Sequence, residues 1–547
     1  MNENERIKQE KPALEVFPDF ERYAQTGFES IHPDDFLRFR WYGLYQQKPN
    51  VGHFMLRIKV PGGLLTAAQM RVVADVSRLY ARGFCDITTR QNFQFHWLTI
   101  HDIPDILSRF EAVGIATAGA CGDIPRNVTG CPVAGIAPDE IFDAQPFAES
   151  IHRLWLERGD EYGDLPRKFK VTVAGCCQHC SQPEINDIGA TAVRRTLADG
   201  TVEEGFNVRV GGGLSARPFL AQFLNMFVPK DEEKLRSVCH AIVTIFRDFG
   251  NRENRKAARM KFLVNEWGIE KFEAEVRARL DWTPDPMAEW PEPKKAFRDH
   301  MGIHAQKQEG LSWIGAVVLS GRLTADQVYE AARIAEEYGD GTVRTTNQQN
   351  FLFAGIPNER VQEAASLLAG QGYQVRDLSP IRRAAVACTG NEFCNLALTE
   401  TKRLIVDIVE HLEKTVALDE LVRINLNGCP NSCGQHHIGD IGLQGCLVKV
   451  GKGQTVDGYD ISLGGRLGDD AKFVRPIWRK VPATEVATAI EHLLNNYAER
   501  KETDEFFGDF VDRHSNDELA ALMQTRFAEG APDPVGTGLN SDPRELS

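Results

Sequence analysis

Apolar and polar positions follow the same order twice along this 547-residue chain. Phe54, Leu56, Ile58 and Val60 alternate with Met55, Arg57 and Lys59, a period of two that predicts a strand. Thr66 followed by Gln69 is a capping-box signature, which starts a helix at about Thr66. A second strand is predicted over Asp86–Phe95 and a second helix near 102–112. The block recurs 258 residues later, where Thr324 and Gln327 repeat the cap and Gln349-Asn350-Phe351 repeats Gln91-Asn92-Phe93. Thirteen positions between 63 and 95 are identical to their counterparts without a gap, too many for shared composition. The pattern is β-α-β-α, half of a ferredoxin-like α/β sandwich.

Another block recurs at a spacing of 253. Gly175-Cys176-x3-Cys180-x-Gln182 returns as Gly428-Cys429-x3-Cys433-x-Gln435, and Asp187-Ile188-Gly189 as Asp440-Ile441-Gly442. The order is therefore A-B-A′-B′, a duplicated α/β protein with pseudo-twofold symmetry. A Pro-rich stretch from Trp282 to Pro293 reads as the linker between the halves. The expected units are an arm (1–50), half-domain A (51–120), B (121–281), the linker (282–299), A′ (300–378), B′ (379–500) and a tail (501–547). The arm carries Phe17, Phe20, Tyr23, Phe36, Phe39, Trp41, Tyr42 and Tyr45, so it should wrap a larger body. The tail, with an acidic helix near 517–529, reads as peripheral.

A net charge of −14 argues against nucleic acid as a partner. The polar start and the lack of a long apolar run predict a cytoplasmic chain that neither carries a signal peptide nor enters a membrane. In that compartment its 12 cysteines stay reduced, and clustered ones point to metal. Two pairs stand out: Cys388-x5-Cys394 and Cys429-x3-Cys433. Each follows an apolar strand-like run, and the first leads into the helical pattern after Cys394, whose start would offer amides to an anion. Gly390, Gly428 and Gly434 would let backbone approach sulfur. The spacings suit an iron–sulfur cluster, while structural zinc and unliganded buried cysteines remain as alternatives.

Gly428-Cys429-x3-Cys433-x6-Asp440-Ile441-Gly442-Leu443 resembles the cluster and sirohaem signature of assimilatory nitrite and sulfite reductases, over about residues 40–500. The resemblance implies their three-domain fold, with ferredoxin-like half-domains forming one unit and two α/β domains holding sirohaem at their junction. It implies that Cys388, Cys394, Cys429 and Cys433 bind a [4Fe–4S] cluster, and that Cys433 bridges to the sirohaem iron as axial ligand. In the first half, the segment aligned with the first cysteine pair begins at Val128, which stands where Cys388 would. Cys131, Cys176, Cys177 and Cys180 then read as structural remnants rather than a second cluster.

Period two also places Lys168 and Lys170 together on one face of a strand, opposite Phe169, Val171 and Val173. Adjacent ammonium groups call for an anion, and the duplicate positions are Leu421 and Arg423. The resemblance adds Arg90, in a strand Thr88–Gln91, and Arg126. Together these four cations would face the open side of the haem, drawing in a small oxyanion and supplying protons. Cys121 lies near this site, with Tyr45 as the candidate for a covalent link found in some related enzymes.

No flavin or NADPH segment can be placed, so electrons would come from a ferredoxin, docking near Lys449, Lys452, Arg479 and Lys480. A monomer is expected. The implied reaction is six-electron reduction of nitrite to ammonium. Ala387-Cys388-Thr389-Gly390-Asn391-Glu392-Phe393-Cys394 resembles nitrite reductases, whereas Lys170 resembles the sulfite enzymes, which keeps sulfite reduction to sulfide as the alternative. A non-catalytic iron–sulfur or zinc-stabilised protein is the lesser one.

Overall fold

A computed structural model describes residues 2–47, 49–290, 297–451, 453–468 and 470–524. Lys452, part of the linker and the end of the acidic helix expected near 517–529 lie outside these residues.

The two ferredoxin-like halves are woven together. One five-stranded sheet runs Leu44–Gln46, Phe54–Arg57, Phe93–Leu98, Phe84–Ile87 and then Arg322–Thr324 from the other repeat. The second runs Gly302–Ala305, Leu311–Ala316, Phe351–Pro357, Thr342–Thr345 and then Leu64–Thr66 from the first repeat. The exchanged strands pair antiparallel, with Leu323 opposite Cys85 and Leu65 opposite Val343. Each leads straight into a helix, Ala67–Leu79 or Ala325–Tyr338, and both predicted capping boxes are formed. The two helices pack against each other over one core, in which Met70, Val73 and Val76 join Val328, Ala331 and Ala332. Phe20, Tyr23 and Phe39 of the arm are buried in that core, and Trp41 Nε1 donates to Gly163 O at 2.7 Å, tying the arm to the first α/β unit.

Each α/β unit has a mixed sheet. In the first, Pro125–Gly130, Phe169–Ala174 and Ile188–Thr196 run parallel, followed by antiparallel Val202–Val210 and Gln222–Pro229. The second repeats this with Ala385–Ala387, Ile424–Asn427, Ile441–Gly451, Gln454–Leu463 and Arg475–Pro482. The cysteine loops leave the carboxyl ends of the first two parallel strands, where open α/β sheets form clefts.

Side chains at the pseudo-twofold junction repeat one another's bonds. Gly130 N–H donates to Gln91 Oε1 at 2.9 Å, and Ala387 N–H to Gln349 Oε1 at 3.0 Å. Gln182 and Gln435 bond each other reciprocally across the axis, at 2.8 and 2.6 Å.

Several expectations are corrected. The strand expected over Asp86–Phe95 is two strands separated by a tight turn at Thr88–Asn92, so Arg90 sits on a turn. There the Thr88 and Asn92 side chains take over backbone bonds that a ladder would otherwise make. The helix after Cys394 starts only at Lys402, because Thr401 Oγ1 bonds Cys388 O and the chain loops first. The helix start is nevertheless beside the first cysteine loop, since its N-cap Thr401 lies against Cys388. The tail is not peripheral: Phe507, Phe510, Val511, Leu519, Leu522 and Met523 are buried in the core of the second α/β unit. Among the described residues no helix is long and apolar enough to cross a membrane.

Candidate active site

Four cysteines converge where the second α/β unit meets the ferredoxin-like body. Cys388 follows the strand Ala385–Ala387, and its Sγ accepts from Gly428 N–H at 3.2 Å. Cys394 closes the first loop, its N–H donating to Gly390 O at 3.0 Å. Gly390 has φ +72°, and a Cβ there would lie 2.6 Å from Thr401 Oγ1. At Gly434 a Cβ would lie 2.5 Å from Leu426 O, so both glycines serve close packing of the loops. Burial pushes the Cys388 thiol up to about 12 and raises Cys394 and Cys429, with the other cluster cysteines adding to it. Thiols crowded together and raised in this way want a cation between them, and an iron–sulfur cluster supplies it. Cys433 differs from the other three in being exposed towards the interdomain cleft. Its carbonyl accepts from Thr89 Oγ1 at 2.9 Å, which fixes its loop to the turn that carries Arg90.

Across the cleft lie the cations. Lys168 and Lys170 have no hydrogen bond or ion pair on their ammonium groups among the described residues. Burial and then Arg259 bring Lys168 down to about 7; burial and then Arg90 bring Lys170 well below its ordinary range. Cys433 acts on both in the opposite sense, which places the pair opposite that cysteine. The pseudo-twofold mate explains why Lys170 is free. Asp440 accepts from the Arg423 backbone at 2.7 Å and from its guanidinium at 2.8 Å, folding Arg423 back. Asp187 likewise accepts from the Lys170 backbone at 2.8 Å, but takes its cation from Arg259 at 2.9 Å.

Arg90 donates to Asn186 Oδ1, Asn127 O and Val171 O at 2.9, 2.6 and 3.3 Å. Burial and Arg126 lower it to about 9, and its Nε is buried without a partner. Arg126 donates to Gly122 O at 2.6 Å and Ala120 O at 3.3 Å, carbonyls on either side of Cys121. Cys121 Sγ accepts from Arg57 at 3.2 Å, and Tyr45 feels both Cys121 and Arg126. The structure thus brings Arg90, Arg126, Lys168 and Lys170 to the side that faces Cys433, with Cys121 and Tyr45 beside Arg126.

Sequence reasoning missed Arg57, Lys59, Arg259 and Lys261. Arg57 is held up against burial by Cys121, Tyr45 and Cys433, and so stands between the cluster loops and the first-half cations. Burial and Arg126 lower Lys59 to about 7; burial and Arg259 lower Lys261 to about 7. Arg57 and Lys59 lie two apart in the alternating run from Phe54 to Val60, between apolar neighbours, the same signal that singled out Lys168 and Lys170. So much buried positive charge, with orphaned Arg90 Nε, Arg259 Nε and Ser432 Oγ, fits a site for a polyanionic prosthetic group.

The fold and this divided site define an oxidoreductase: the chain belongs to the nitrite and sulphite reductase family, whose cofactors are a [4Fe–4S] cluster and sirohaem. The family model described as "Nitrite and sulphite reductase 4Fe-4S domain" matches residues 121–284 and 380–530. "Nitrite/Sulfite reductase ferredoxin-like half domain" matches 45–113 and 304–371. An "Assimilatory ferredoxin-dependent nitrite reductase" of Haloferax mediterranei is 37% identical, covering 93% of this chain and 91% of that protein. A "Sulfite reductase [ferredoxin] 2" of Mycolicibacterium paratuberculosis is 35% identical, covering 95% and 96%. The solved structure of the Mycobacterium tuberculosis NirA protein superposes with a TM-score of 0.89 at 35% identity, covering 95% of this chain and 97% of that one.

Proposed function

We propose that the chain reduces nitrite to ammonium with electrons from a ferredoxin. The free Lys168–Lys170 pair facing Cys433 across the cleft carries the reading of an oxyanion substrate, and the nitrite-reductase-like segment Ala387–Cys394 favours nitrite. Cys388, Cys394, Cys429 and Cys433 would hold the cluster, and Cys433, exposed towards the cations, would link it to the sirohaem. When bound, sirohaem supplies the iron at which the oxyanion loses its oxygens. The chain's own contribution is electrostatic and protic. Arg90 and Arg126, anchored by carbonyls, present fixed positive charge, which costs no reorganisation as negative charge builds on the substrate. Lys168, brought down to about 7, sits where an ammonium both attracts an anion and gives up a proton near neutral pH. Arg259 and Lys261 are suited to the carboxylates of the macrocycle. Lys449, near the end of the strand Ile441–Gly451, and Arg479 and Lys480 on the edge strand Arg475–Pro482 are exposed and suit an acidic ferredoxin.

Sulfite is the second reading, favoured by Lys170, whose extra charge suits a dianion better than a monoanion. Turnover of protein made in a sirohaem-competent host, with reduced viologen and then reduced ferredoxin, on nitrite and on sulfite separately, tests both. Faster turnover of nitrite is expected. Activity on sulfite alone would overturn the nitrite assignment, and absence of sirohaem absorption would overturn the enzyme reading altogether.

A further inference from the structure

The first α/β unit holds a second gathering of cysteines, and strand register shows what it is. Val128, Thr129 and Gly130 pair with Val171, Thr172 and Val173, as Ala385, Val386 and Ala387 pair with Ile424, Asn425 and Leu426. Gly130 and Ala387 make the same bond to Gln91 and Gln349. The residue after each strand is a cysteine: Cys131, not Val128, is the counterpart of Cys388. The loops continue in step, since Ala137 N–H donates to Val133 O and Cys394 N–H to Gly390 O, both at 3.0 Å. Cys176 and Cys180 are the counterparts of Cys429 and Cys433. Three of four ligand positions are thus kept, and alanine stands at the fourth.

A different residue fills the space beside that alanine. His300 enters from the end of the linker, and its ligand nitrogen lies with the sulfurs of Cys131 and Cys180 inside a span of 4.8 Å. Its Nε2 is sealed from solvent without a hydrogen-bond partner, and its backbone is held at φ +63°, unusual for a residue with a side chain. Cys131 Sγ and Cys180 Sγ are 3.9 Å apart. Cys176, the counterpart of Cys429 at the head of the Cys180 loop, completes the set, and Cys131, Cys180 and His300 all act on its thiol. Val133, Ala134, Ile136, Met301 and Trp313 close an apolar shell around them. Arg344 donates to Ala134 O at 2.7 Å and feels Cys131, which sets a cation beside a site that would carry net negative charge.

The spacing discriminates between metals. Four ligands around zinc at Zn–S of about 2.3 Å put sulfurs about 3.8 Å apart, whereas a cubane holds each thiolate on its own corner, much further from the rest. Cys388, Cys394, Cys429 and Cys433 do not form a close group of this kind; among the described residues, Cys131, Cys180 and His300 alone do. We propose that Cys131, Cys176, Cys180 and His300 form a structural zinc site, made from the first repeat's copy of the cluster site by exchanging one cysteine for a histidine. The thiols release their protons to solvent as Zn2+ binds. The ion joins the first α/β unit to the linker end just before the strand Gly302–Ala305, and so clamps two domains at their junction. Because zinc has no redox chemistry, the first repeat then gains a crosslink without offering electrons a second route.

Metal analysis of the holoprotein from zinc-supplemented cells is the test. One zinc per chain is expected beside the iron of cluster and sirohaem, with zinc-edge absorption showing three sulfur neighbours and one nitrogen. His300→Ala should weaken zinc retention at least about tenfold against a chelator while the sirohaem absorption is kept. His300→Cys should retain zinc with four sulfur neighbours. Absence of zinc after incubation of reduced protein with the ion would overturn the proposal. So would a second iron–sulfur signal with excess iron, or a Cys131–Cys180 disulfide in the protein as isolated. If His300→Ala fails to fold, the wild-type metal content and neighbour shell decide the matter.

Discussion

Lys168 gives the clearest quantitative handle on the reaction. Its ammonium has no hydrogen-bond or ion-pair partner among the described residues, and burial with Arg259 brings it to about 7. It is therefore charged below about pH 7 and neutral above. Each pH unit above the pKa lowers the charged fraction about tenfold, equivalent to about 1.4 kcal/mol of lost attraction for an anion that needs the charge. The measurement is kcat/KM for nitrite from pH 6 to 9 with a reduced viologen as donor; nitrite stays a monoanion throughout. Wild-type kcat/KM should fall about tenfold per unit on the alkaline side. Bound sirohaem carboxylates shift that limb upward without removing it, because opposite charge favours the ammonium. Lys168→Arg, charged at every pH, should flatten the limb, and Lys168→Met should lower the plateau at all pH values. A flat wild-type profile, or a limb unchanged in Lys168→Arg, would refute the assignment.

Other consequences can be checked independently. Lys170→Asn should raise the ratio of nitrite to sulfite turnover, and an unchanged ratio would remove its role in selecting the anion. Gln349→Ala leaves Ala387 N–H and Ile87 C=O unpaired beside Cys388, and urea unfolding should show a loss of about 2–5 kcal/mol; under about 1 kcal/mol would mean water replaces the side chain. Cys433→Ser should make the cluster and haem signals respond independently in a reductive titration, whereas Cys394→Ser should affect the cluster first. Gln182→Ala and Gln435→Ala should be strongly non-additive with their double variant, because each amide is the other's partner.

What the sequence revealed depended on how local the cause was. Thr66 with Gln69 and Thr324 with Gln327 were legible because a capping box is written within four residues. The cysteine pairs and the Lys168–Lys170 face were legible for the same reason. The Thr88–Asn92 turn was not, because the residues on both sides of it alternate like one continuous strand. The tail looked peripheral because its burial depends on a distant sheet and helix. Cys131 was displaced by three residues because its segment shares only isolated identities with the second repeat, such as Arg126 with Arg383 and Cys131 with Cys388, and only strand register fixes it. His300 was invisible, since its partners lie more than a hundred residues away.

The exchange of strands between the two ferredoxin-like halves has a consequence for synthesis. Phe84–Ile87 has its outer partner at Arg322–Thr324, so the edge of the first sheet stays open until more than two hundred further residues have been made. At roughly 5–20 residues per second, that interval is on the order of 10–50 s. Throughout it the nascent chain exposes a strand able to pair with a neighbouring copy. A slow passage of the ribosome through the first α/β unit and linker would therefore favour aggregation, and a chaperone that shields Phe84–Ile87 in that window would act before any cofactor can be inserted.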